Sequence, residues 1–400
     1  MQSVTSAGYD VWEAPVIGPR TSNVPEPTHV LFIIDELCRL GGAERTLLRL
    51  IRLLPPEKYH ASLVTFRLDP EVFHDFPCPF HFLPLRRTYD FNAAKMGLKL
   101  RKLIRSENVT IAHTFFETSD LWAGPIARLS GVPVLISSRR DLGILRASKH
   151  HLAYRFVNRF FDRVLAVSQE VRNYCIAEDG LPPEKVLTLY NGIELDQVAA
   201  RDSTAVSHAD LGCAEASHLI ITAANIRRVK GLDVLLQAAA IVQREFPRAV
   251  FLIAGGVLEQ EYSRELEELT RSLALSNTVK FLGAKKDVMP LLAISDVFCL
   301  PSRSEGFSNA LVEAMASGLP CVATRVGGNA EALAEGESGF IVEADDPQAM
   351  AERILVLLRD PELRRRMGRR GKETVESRFS AHSMITRLVG VYDELLASRK

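Results

Sequence analysis

The sequence predicts an α/β protein built of two doubly wound, Rossmann-like domains that face each other across a cleft. Three observations carry this prediction. Short continuous apolar runs alternate with longer amphipathic stretches, the alternation restarts after one polar interval, and 400 residues exceed what one ordinary core accommodates. Ligands of such sheets bind beyond the carboxyl ends of the strands, so the cleft is the expected site.

The first half of the chain contains six apolar runs that predict strands. Because they are continuous and do not alternate with polar residues, they suit parallel strands that helices bury on both faces. The predicted strands are residues 30–34, 61–66, 109–113, 132–138, 163–168 and 186–190. The polar segment 194–217 follows the turn-forming pair Asn191-Gly192 and contains no convincing strand, so we expect a domain boundary there.

The same pattern restarts in the second half. The predicted strands are residues 218–224, 249–256, 278–284, 296–302, 320–326 and 339–344, with helical stretches such as 232–246 and 347–360. The expected organisation is therefore a flexible leader (1–28), an N-terminal Rossmann-like domain (29–198), a linker (199–217), a C-terminal Rossmann-like domain (218–378) and a closing helix (379–400). One expected position for that helix is against the N-terminal domain.

Composition excludes several classes of protein. Forty-nine basic residues balance 49 acidic ones, so net charge does not favour a nucleic-acid partner. The six cysteines form no C-x-x-C pair, which indicates buried thiols in a reducing compartment. The first 28 residues do not resemble a secretory signal, and no apolar run approaches the roughly 20 residues that span a bilayer. We therefore expect a cytoplasmic protein, with any membrane contact peripheral and at the inner face.

The most informative segment is residues 301–331, PSRSEGFSNALVEAMASGLPCVATRVGGNAE. A predicted strand runs into a polar loop, and a helix is expected to begin near Ser308 or Asn309, both good N-cap types. Such a helix start binds anions through its free N–H groups. Glu305 and Glu313 bracket it, and their carboxylates accept hydrogen bonds, as sugar and ribose hydroxyls require. In an arbitrary sequence, two acids at this spacing are usually solvated.

The whole run, with S-E-G-F-S-N, L-V-E-A-M-A-S-G-L-P and V-G-G-x-x-E, resembles the E-x7-E signature of the retaining GT-B glycosyltransferases of family four (glycosyl transferases group 1). The resemblance implies transfer of a sugar from a nucleotide diphosphate donor to a hydroxyl acceptor, which is a glycan, a lipid-linked intermediate or a polysaccharide. It also implies that the domain 29–198 binds the acceptor and that the domain 218–378 binds the nucleotide sugar. In the second of these domains, it implies that Glu305 contacts the donor sugar and Glu313 the ribose. Further donor contacts that it implies are Gly306, Phe307, Ser308, Asn309, Leu311 and Gly255.

Two cations precede the helix that Gly231 opens in the second domain. Departure of a nucleoside diphosphate develops negative charge, and preorganised cations stabilise that charge most where it grows. Lys230 and Arg227 are the candidates. Relatives commonly carry an arginine at the position of Asn225, so which of Arg227 and Arg228 faces the diphosphate stays open.

Candidates in the first domain follow two predicted strands. Gly41 and Gly42 resemble the glycine-rich loop that approaches the diphosphate and the acceptor in family members. His113 ends a strand that is aimed at the cleft, and many relatives show H-x-H there. Phe115 occupies the place of the second histidine, so His113 or Glu117 would take its role.

Basic residues indicate the acceptor side. Arg139 and Arg140 end the next predicted strand, where family members with lipid-linked or polysaccharide acceptors look similar. The stretch 96–105, MGLKLRKLIR, has apolar residues at helical spacing with basic ones between them. A solvated basic face explains this pattern, and so does peripheral attachment to an anionic membrane.

Neither a metal nor another cofactor is expected, because the sequence contains no H-E-x-x-H, Walker or D-x-D motif. In the family that it resembles, cations and helix dipoles do that work, and the nucleotide sugar is a substrate. Two alternatives to a transferase are open at this point. One is a sugar-nucleotide hydrolase or epimerase of the same fold, and the other is a nucleotide-binding protein without catalysis.

Overall fold

The structure is a computed structural model that describes residues 26–38, 41–73, 75–143, 148–195 and 206–399. The expected leader lies outside these residues except for its last three positions. The first seven residues of the expected linker also lie outside them.

The described strands all belong to two sheets. They are β1 (Thr28–Leu37), β2 (Tyr59–Leu68), β3 (Phe80–Phe82), β4 (Ile111–Phe115), β5 (Val134–Arg139), β6 (Arg163–Ala166), β7 (Val186–Thr188), β8 (His218–Ala223), β9 (Ala249–Ala254), β10 (Val279–Gly283), β11 (Val297–Leu300), β12 (Cys321–Thr324) and β13 (Gly339–Val342). The pairings of β1 with β2 and β4, and of β8 with β9 and β11, are parallel.

Helices connect these strands. They are α1 (Gly42–Leu53), α2 (Phe91–Ser106), α3 (Gly124–Leu129), α4 (Ser148–Val157), α5 (Gln169–Ala177), α6 (Leu232–Gln243), α7 (Gln260–Ser272), α8 (Met289–Ala293), α9 (Asn309–Ala316), α10 (Asn329–Ala332), α11 (Pro347–Arg359), α12 (Pro361–Arg378) and α13 (Ala381–Ala397). A π-helical turn, Ser119–Ala123, precedes α3.

Both sheets are doubly wound. The seven-stranded sheet has the order β3-β2-β1-β4-β5-β6-β7, and the six-stranded sheet has the order β10-β9-β8-β11-β12-β13. Strand order therefore reverses between β1 and β4 in one sheet and between β8 and β11 in the other. A crevice at the carboxyl ends of the strands forms at such a reversal, because successive loops leave in opposite directions.

The core explains why these residues form strands. Residues 30–34 in β1 are fully buried, and so is most of β8, β11 and β12. Burial on both faces is what continuous apolar runs permit. The prediction of two doubly wound α/β domains is confirmed, and each of the twelve predicted strands overlaps an observed one.

Strand β3 was not predicted. Its three residues, Phe80–Phe82, form no continuous apolar run, and Pro77, Pro79 and Pro84 flank them. Proline removes a backbone donor and ends ladders, so local sequence indicates a loop there. Pairing with β2 nevertheless makes it a short edge strand.

Contacts divide the chain into two compact units. One contains the residues up to Ser138, then Ser148–Val164, and the segment that begins at Val391. The other contains the segment that begins at Arg139, and Leu165–Gly390. Helix α5 and strand β7 therefore belong to the same unit as the six-stranded sheet.

Asp35 near the end of β1 fixes the loop that follows β4. Its buried carboxylate accepts hydrogen bonds from the Thr118 N–H (2.8 Å) and from the Ser119 N–H and hydroxyl (both 2.6 Å). These bonds cap the turn after Phe116, whose φ is +73°. Burial raises the pKa of Asp35 to about 6, although the three bonds oppose that shift.

We predict that this carboxyl makes stability depend on pH. Between the ordinary value of 3.8 and about 6, the folded chain holds a proton that the unfolded chain has released. The stabilisation that this carboxyl contributes is therefore complete below pH 3.8 and is lost as pH rises through about 6. This loss lowers the free energy of unfolding by up to about 3 kcal/mol. Denaturant unfolding of wild type and Asp35→Asn across this range should show the wild type gaining relative stability as pH falls. A difference that is constant with pH would contradict the prediction.

Candidate active site

The candidate site lies where strand order reverses in the six-stranded sheet. Strand β8 ends at Ala223 and β11 ends at Leu300, and these two strands are neighbours. The loops that follow them, residues 224–231 and 301–308, therefore leave the same edge of the sheet. They carry Lys230 and Glu305, two of the residues that the sequence singled out in this half of the chain.

The structure brings Lys230 and Glu305 together. Lys230 Nζ lies 2.6 Å from Glu305 Oε1, and the Ser302 hydroxyl donates to the same oxygen at 2.7 Å. The side chain of Glu305 is 9% exposed and that of Lys230 is 24% exposed. An ammonium has three donors, so a lysine that binds one carboxylate oxygen here retains donors for an anionic ligand.

Glycines let the loops around this ion pair pack backbone against backbone. A Cβ on Gly231 would lie 2.1 Å from the Pro301 carbonyl oxygen, and φ at Gly231 is +62°. A Cβ on Gly255 would lie 1.9 Å from the carbonyl oxygen of Ala224. Since no side chain fits at either place, the loop after β8 lies directly against the loop after β11 and against the end of β9.

Gly306, next to Glu305, is held by two further backbone contacts. A Cβ there would lie 2.0 Å from the Arg140 carbonyl oxygen. The Gly306 carbonyl accepts a hydrogen bond from the Gly328 N–H at 3.0 Å. The G-G pair after β12 thus supports the loop that carries Glu305.

Helix α9 begins where the sequence predicted. Ser308 is the N-cap, and its hydroxyl accepts a hydrogen bond from the Leu311 N–H at 3.3 Å. Leu311 is fully buried in this structure, and its N–H is occupied by the cap. Glu313 is partly buried on the same helix.

Two predicted site residues support the start of this helix. Phe307 is buried, and its ring packs 5.2 Å from the rings of Tyr190 and Phe379. Asn309 Oδ1 accepts a hydrogen bond from Asn191 at 2.6 Å, and the Asn191 side chain in turn accepts one from Arg140. In this structure Arg140 therefore connects, through Asn191, to the start of α9.

The two arginines before Lys230 differ in their partners. Arg228 makes two bonds to Glu265, at 2.6 and 2.7 Å, and its guanidinium lies over the Tyr262 ring. Arg227 has a longer contact of 3.4 Å with Glu259. This geometry favours Arg227 over Arg228 as the arginine that can turn towards a ligand.

His113 lies inside the first unit and not at its surface. It is fully buried in β4, with Nδ1 2.7 Å from the Tyr392 hydroxyl and Nε2 2.9 Å from the Ser138 hydroxyl. Phe115 is also buried, and its ring lies 4.8 Å from the imidazole. Both ring nitrogens are thus occupied, which favours a structural role for His113.

The remaining candidates of the first domain are partly accessible. Glu117 follows β4 and lies 2.8 Å from His150 Nδ1, and both side chains are about one third exposed. Gly41 is the N-cap of α1, and Gly42 is the first residue of that helix. Arg139, by contrast, is buried, and it pairs with the buried Asp179 at 3.4 Å. This placement favours a structural role for Arg139 over contact with an acceptor.

Comparison with known proteins identifies the family. The protein-family model described as Glycosyltransferase Family 4 matches residues 40–197. The family model described as Glycosyl transferases group 1 matches residues 204–374. N-acetyl-α-D-glucosaminyl L-malate synthase of Bacillus anthracis is 34% identical over 311 residues, which cover 76% of this chain and 80% of that protein. UDP-Gal:α-D-GlcNAc-diphosphoundecaprenol α-1,3-galactosyltransferase of Escherichia coli is 24% identical over 373 residues, 90% of this chain and 95% of that protein.

Solved structures agree with the fold. The structure of Anabaena HepE in complex with UDP superposes with a TM-score of 0.81 at 21% identity, covering 92% of this chain and 100% of that one. The fold is therefore GT-B, and the protein is a glycosyltransferase that uses a sugar-nucleotide donor. The chain belongs to glycosyltransferase family 4, which confirms the predicted family and does not favour the hydrolase, epimerase or binding-protein alternatives.

Sequence reasoning missed several residues that the structure places around the site. Ser302 binds Glu305, and Arg303 bonds to the neighbouring loop. Glu331 accepts hydrogen bonds from the first two N–H groups of α5, at 2.8 and 3.0 Å, and from the Tyr190 hydroxyl at 2.9 Å. For Glu331 a signal existed, because it ends the V-G-G-x-x-E run. The bond from Ser302 to Glu305 spans only three residues, whereas the partners of Arg303 are distant in the sequence and have no local signal.

We predict that Gly231→Ala damages the site more than its backbone angle alone explains. The added Cβ would overlap the Pro301 carbonyl oxygen, so the loop that carries Lys230 would have to move away from the loop that carries Glu305. Gly336 is a matched control, because its φ is +74° and no atom lies within 4 Å of an added Cβ. Left-handed backbone costs about 1–2 kcal/mol in both variants, and misplacement of about 1 Å costs roughly 100-fold in rate. Gly231→Ala should therefore show a lower free energy of unfolding and a lower rate of sugar transfer than Gly336→Ala. Equal values in the two variants would contradict the prediction.

Proposed function

We propose that this protein transfers a sugar from a nucleoside diphosphate to a hydroxyl acceptor with retention of anomeric configuration. The observation that carries the proposal is the Lys230–Glu305 ion pair at the strand-order reversal of the six-stranded sheet. Close by lies the start of α9, whose N–H groups attract anions. A cation and a helix start suit a diphosphate, and a carboxylate suits sugar hydroxyls.

In the proposed reaction, the bond between the anomeric carbon and the leaving phosphate oxygen breaks while the acceptor oxygen bonds to the same face of that carbon. The acceptor proton passes to the leaving phosphate oxygen, so no separate base is needed. Lys230 and Arg227 stabilise the growing charge on the diphosphate. Glu305 orients the hydroxyls of the transferred sugar, and Glu313 holds the ribose.

The names of the relatives support retention and the choice of donor. The Bacillus anthracis and Escherichia coli proteins are both named for α-linked products, as retention yields from an α-linked donor. Anabaena HepE has been solved with UDP-glucose. Uridine diphosphate sugars are therefore the first donors that we propose for this protein.

We also propose peripheral contact with an anionic membrane, through a surface of the first unit that we call the α2 face. On α2, the exposed residues Phe91, Lys95, Leu98, Lys102 and Arg105 recur every three or four positions, so they share one side of the helix. Four large apolar side chains are exposed on or beside this helix, namely Tyr89 (83%), Phe91 (92%), Leu98 (70%) and Leu129 (73%).

A groove of about 490 Å³ lies beside the α2 face, between α2 and α3. Trp122, Ile126 and Leu129 contribute its apolar lining, and Arg101 stands at its side. Exposed aromatic and aliphatic groups among cations match the interface of an anionic bilayer. Such contact suits a lipid-linked acceptor. Among the described residues, no helix is long and apolar enough to cross a bilayer.

We predict that Lys230→Ala and Glu305→Ala each lower the turnover number by about 100- to 1,000-fold, because each removes a group that acts on the transition state. A thermal-shift screen of nucleoside diphosphates and their sugars first identifies the donor, since a ligand that binds only the folded chain raises its melting temperature. Glu343→Ala is the control, because this exposed acid pairs with Arg325 in the same domain. Transfer at the wild-type rate in both site variants would rule out the assignment. The anomeric configuration of the product, read by NMR, tests retention.

We predict that the double variant Phe91→Ser/Leu98→Ser binds anionic vesicles at least about 10-fold more weakly than wild type, because each exposed side chain contributes about 1.5–3 kcal/mol when buried. Flotation with phosphatidylcholine vesicles, with and without phosphatidylglycerol, measures this. The matched control is Leu152→Ser/Phe156→Ser, which removes two exposed apolar groups from α4. Equal binding of all three proteins, or no preference of wild type for phosphatidylglycerol, would refute the membrane contact.

A further inference from the structure

The guanidinium of Arg303 binds three partners, Asp233, Asp345 and the Arg228 carbonyl. It lies two positions before Glu305, and its guanidinium makes a two-pronged ion pair with Asp233, at 2.9 and 2.7 Å. Its Nε donates to Asp345 at 2.7 Å, and Nη1 also donates to the Arg228 carbonyl oxygen at 2.8 Å. All of these groups belong to the unit that contains the candidate site.

These bonds join the two loops of the site. The backbone N–H of Arg303 donates to the Val229 carbonyl at 2.8 Å, next to Lys230. Asp233 is the second residue of α6, the helix that the loop of Lys230 enters. One side chain in the loop of Glu305 therefore binds the loop of Lys230 on both sides of that lysine.

Asp233 is itself held in place. The Tyr262 hydroxyl donates to Asp233 Oδ1 at 2.5 Å, and it lies 3.1 Å from the Asp233 N–H. The guanidinium of Arg303 and the hydroxyl of Tyr262 hold the pKa of Asp233 below its ordinary value, although burial opposes this. The carboxylate is thus ionised and oriented, as a two-pronged arginine pair requires.

We propose that Arg303 is the positioning residue of the transfer reaction, which sets the distance between Lys230 and Glu305 through Asp233. The inference rests on the proposed function of that pair. Arg303 does not need to touch the substrate. It acts because the leaving diphosphate and the transferred sugar are bound by residues on different loops, and their alignment depends on the bonds that join those loops.

If Arg303 only stabilised the fold, its removal should have the same effect as the removal of another two-pronged ion pair in this unit. Arg359 and Glu245 form a comparable two-pronged pair in the same unit, with Nε 2.6 Å from Oε1, but they join α11 to the segment after α6. Loss of that pair should affect stability alone. Arg359→Ala is therefore the matched control.

The experiment compares Arg303→Ala, Arg303→Lys, Asp233→Asn and Arg359→Ala. We expect the first three to lower the turnover number by about 10- to 100-fold and to change the Michaelis constant for the donor by less than about 3-fold, because alignment matters most in the transition state. Lysine should not rescue, since it cannot make the two-pronged bond. The double variant Arg303→Ala/Asp233→Asn should be no slower than the slower single variant, because both remove one interaction.

Amide hydrogen exchange gives a second readout that does not depend on activity. Exchange in residues 224–231 should be faster in Arg303→Ala than in wild type, and unchanged in Arg359→Ala. Full activity of Arg303→Lys, additive losses in the double variant or unchanged exchange would each overturn the positioning role. A wild-type chain that transfers no sugar would instead count against the proposed function, so the two failures are distinguishable.

Discussion

The ion pair between Lys230 and Glu305 is the interaction on which the rest of the site depends. Removal of charges from water is costly, and a pair recovers that cost only when its geometry is held and further hydrogen bonds complete it. Here Ser302 supplies the further bond, and both side chains are mostly buried. While Lys230 binds this carboxylate, it retains ammonium donors for an anionic ligand.

Close backbone packing makes this geometry possible. Gly231, Gly255 and Gly306 each stand where a Cβ would lie about 2 Å from a carbonyl oxygen. Loops that pack in this way have few alternative positions, since protein interiors are dense and steric overlap is steep. This close packing holds the charged side chains of the site in place, whereas flexible loops would let them turn towards solvent.

In the first unit, polar side chains near the ends of the strands are buried. His113 is enclosed by Tyr392 and Ser138, and Asp35 by the turn after β4. The second unit has a comparable case, because the buried Arg139 pairs with Asp179. Buried polar groups remain stable only when they are hydrogen-bonded, and these networks satisfy that requirement. Among the candidates described in this unit, the residues that remain accessible are Gly41 and Gly42, the Glu117–His150 pair and the α2 face.

The sequence by itself determined the class of fold and the start of the helix at the candidate site. Short continuous apolar runs between turn-forming residues predict buried strands, and the helix after Ser308 follows from a local cap, so both were predicted correctly. The pairing of Lys230 with Glu305, 75 residues apart, was decided by the tertiary structure, as was the bond from Arg303 to Asp233. The same holds for the burial of His113 and Arg139. Local patterns encode periodicity and caps, whereas partners from distant segments arise only when the sheet brings the strand ends together.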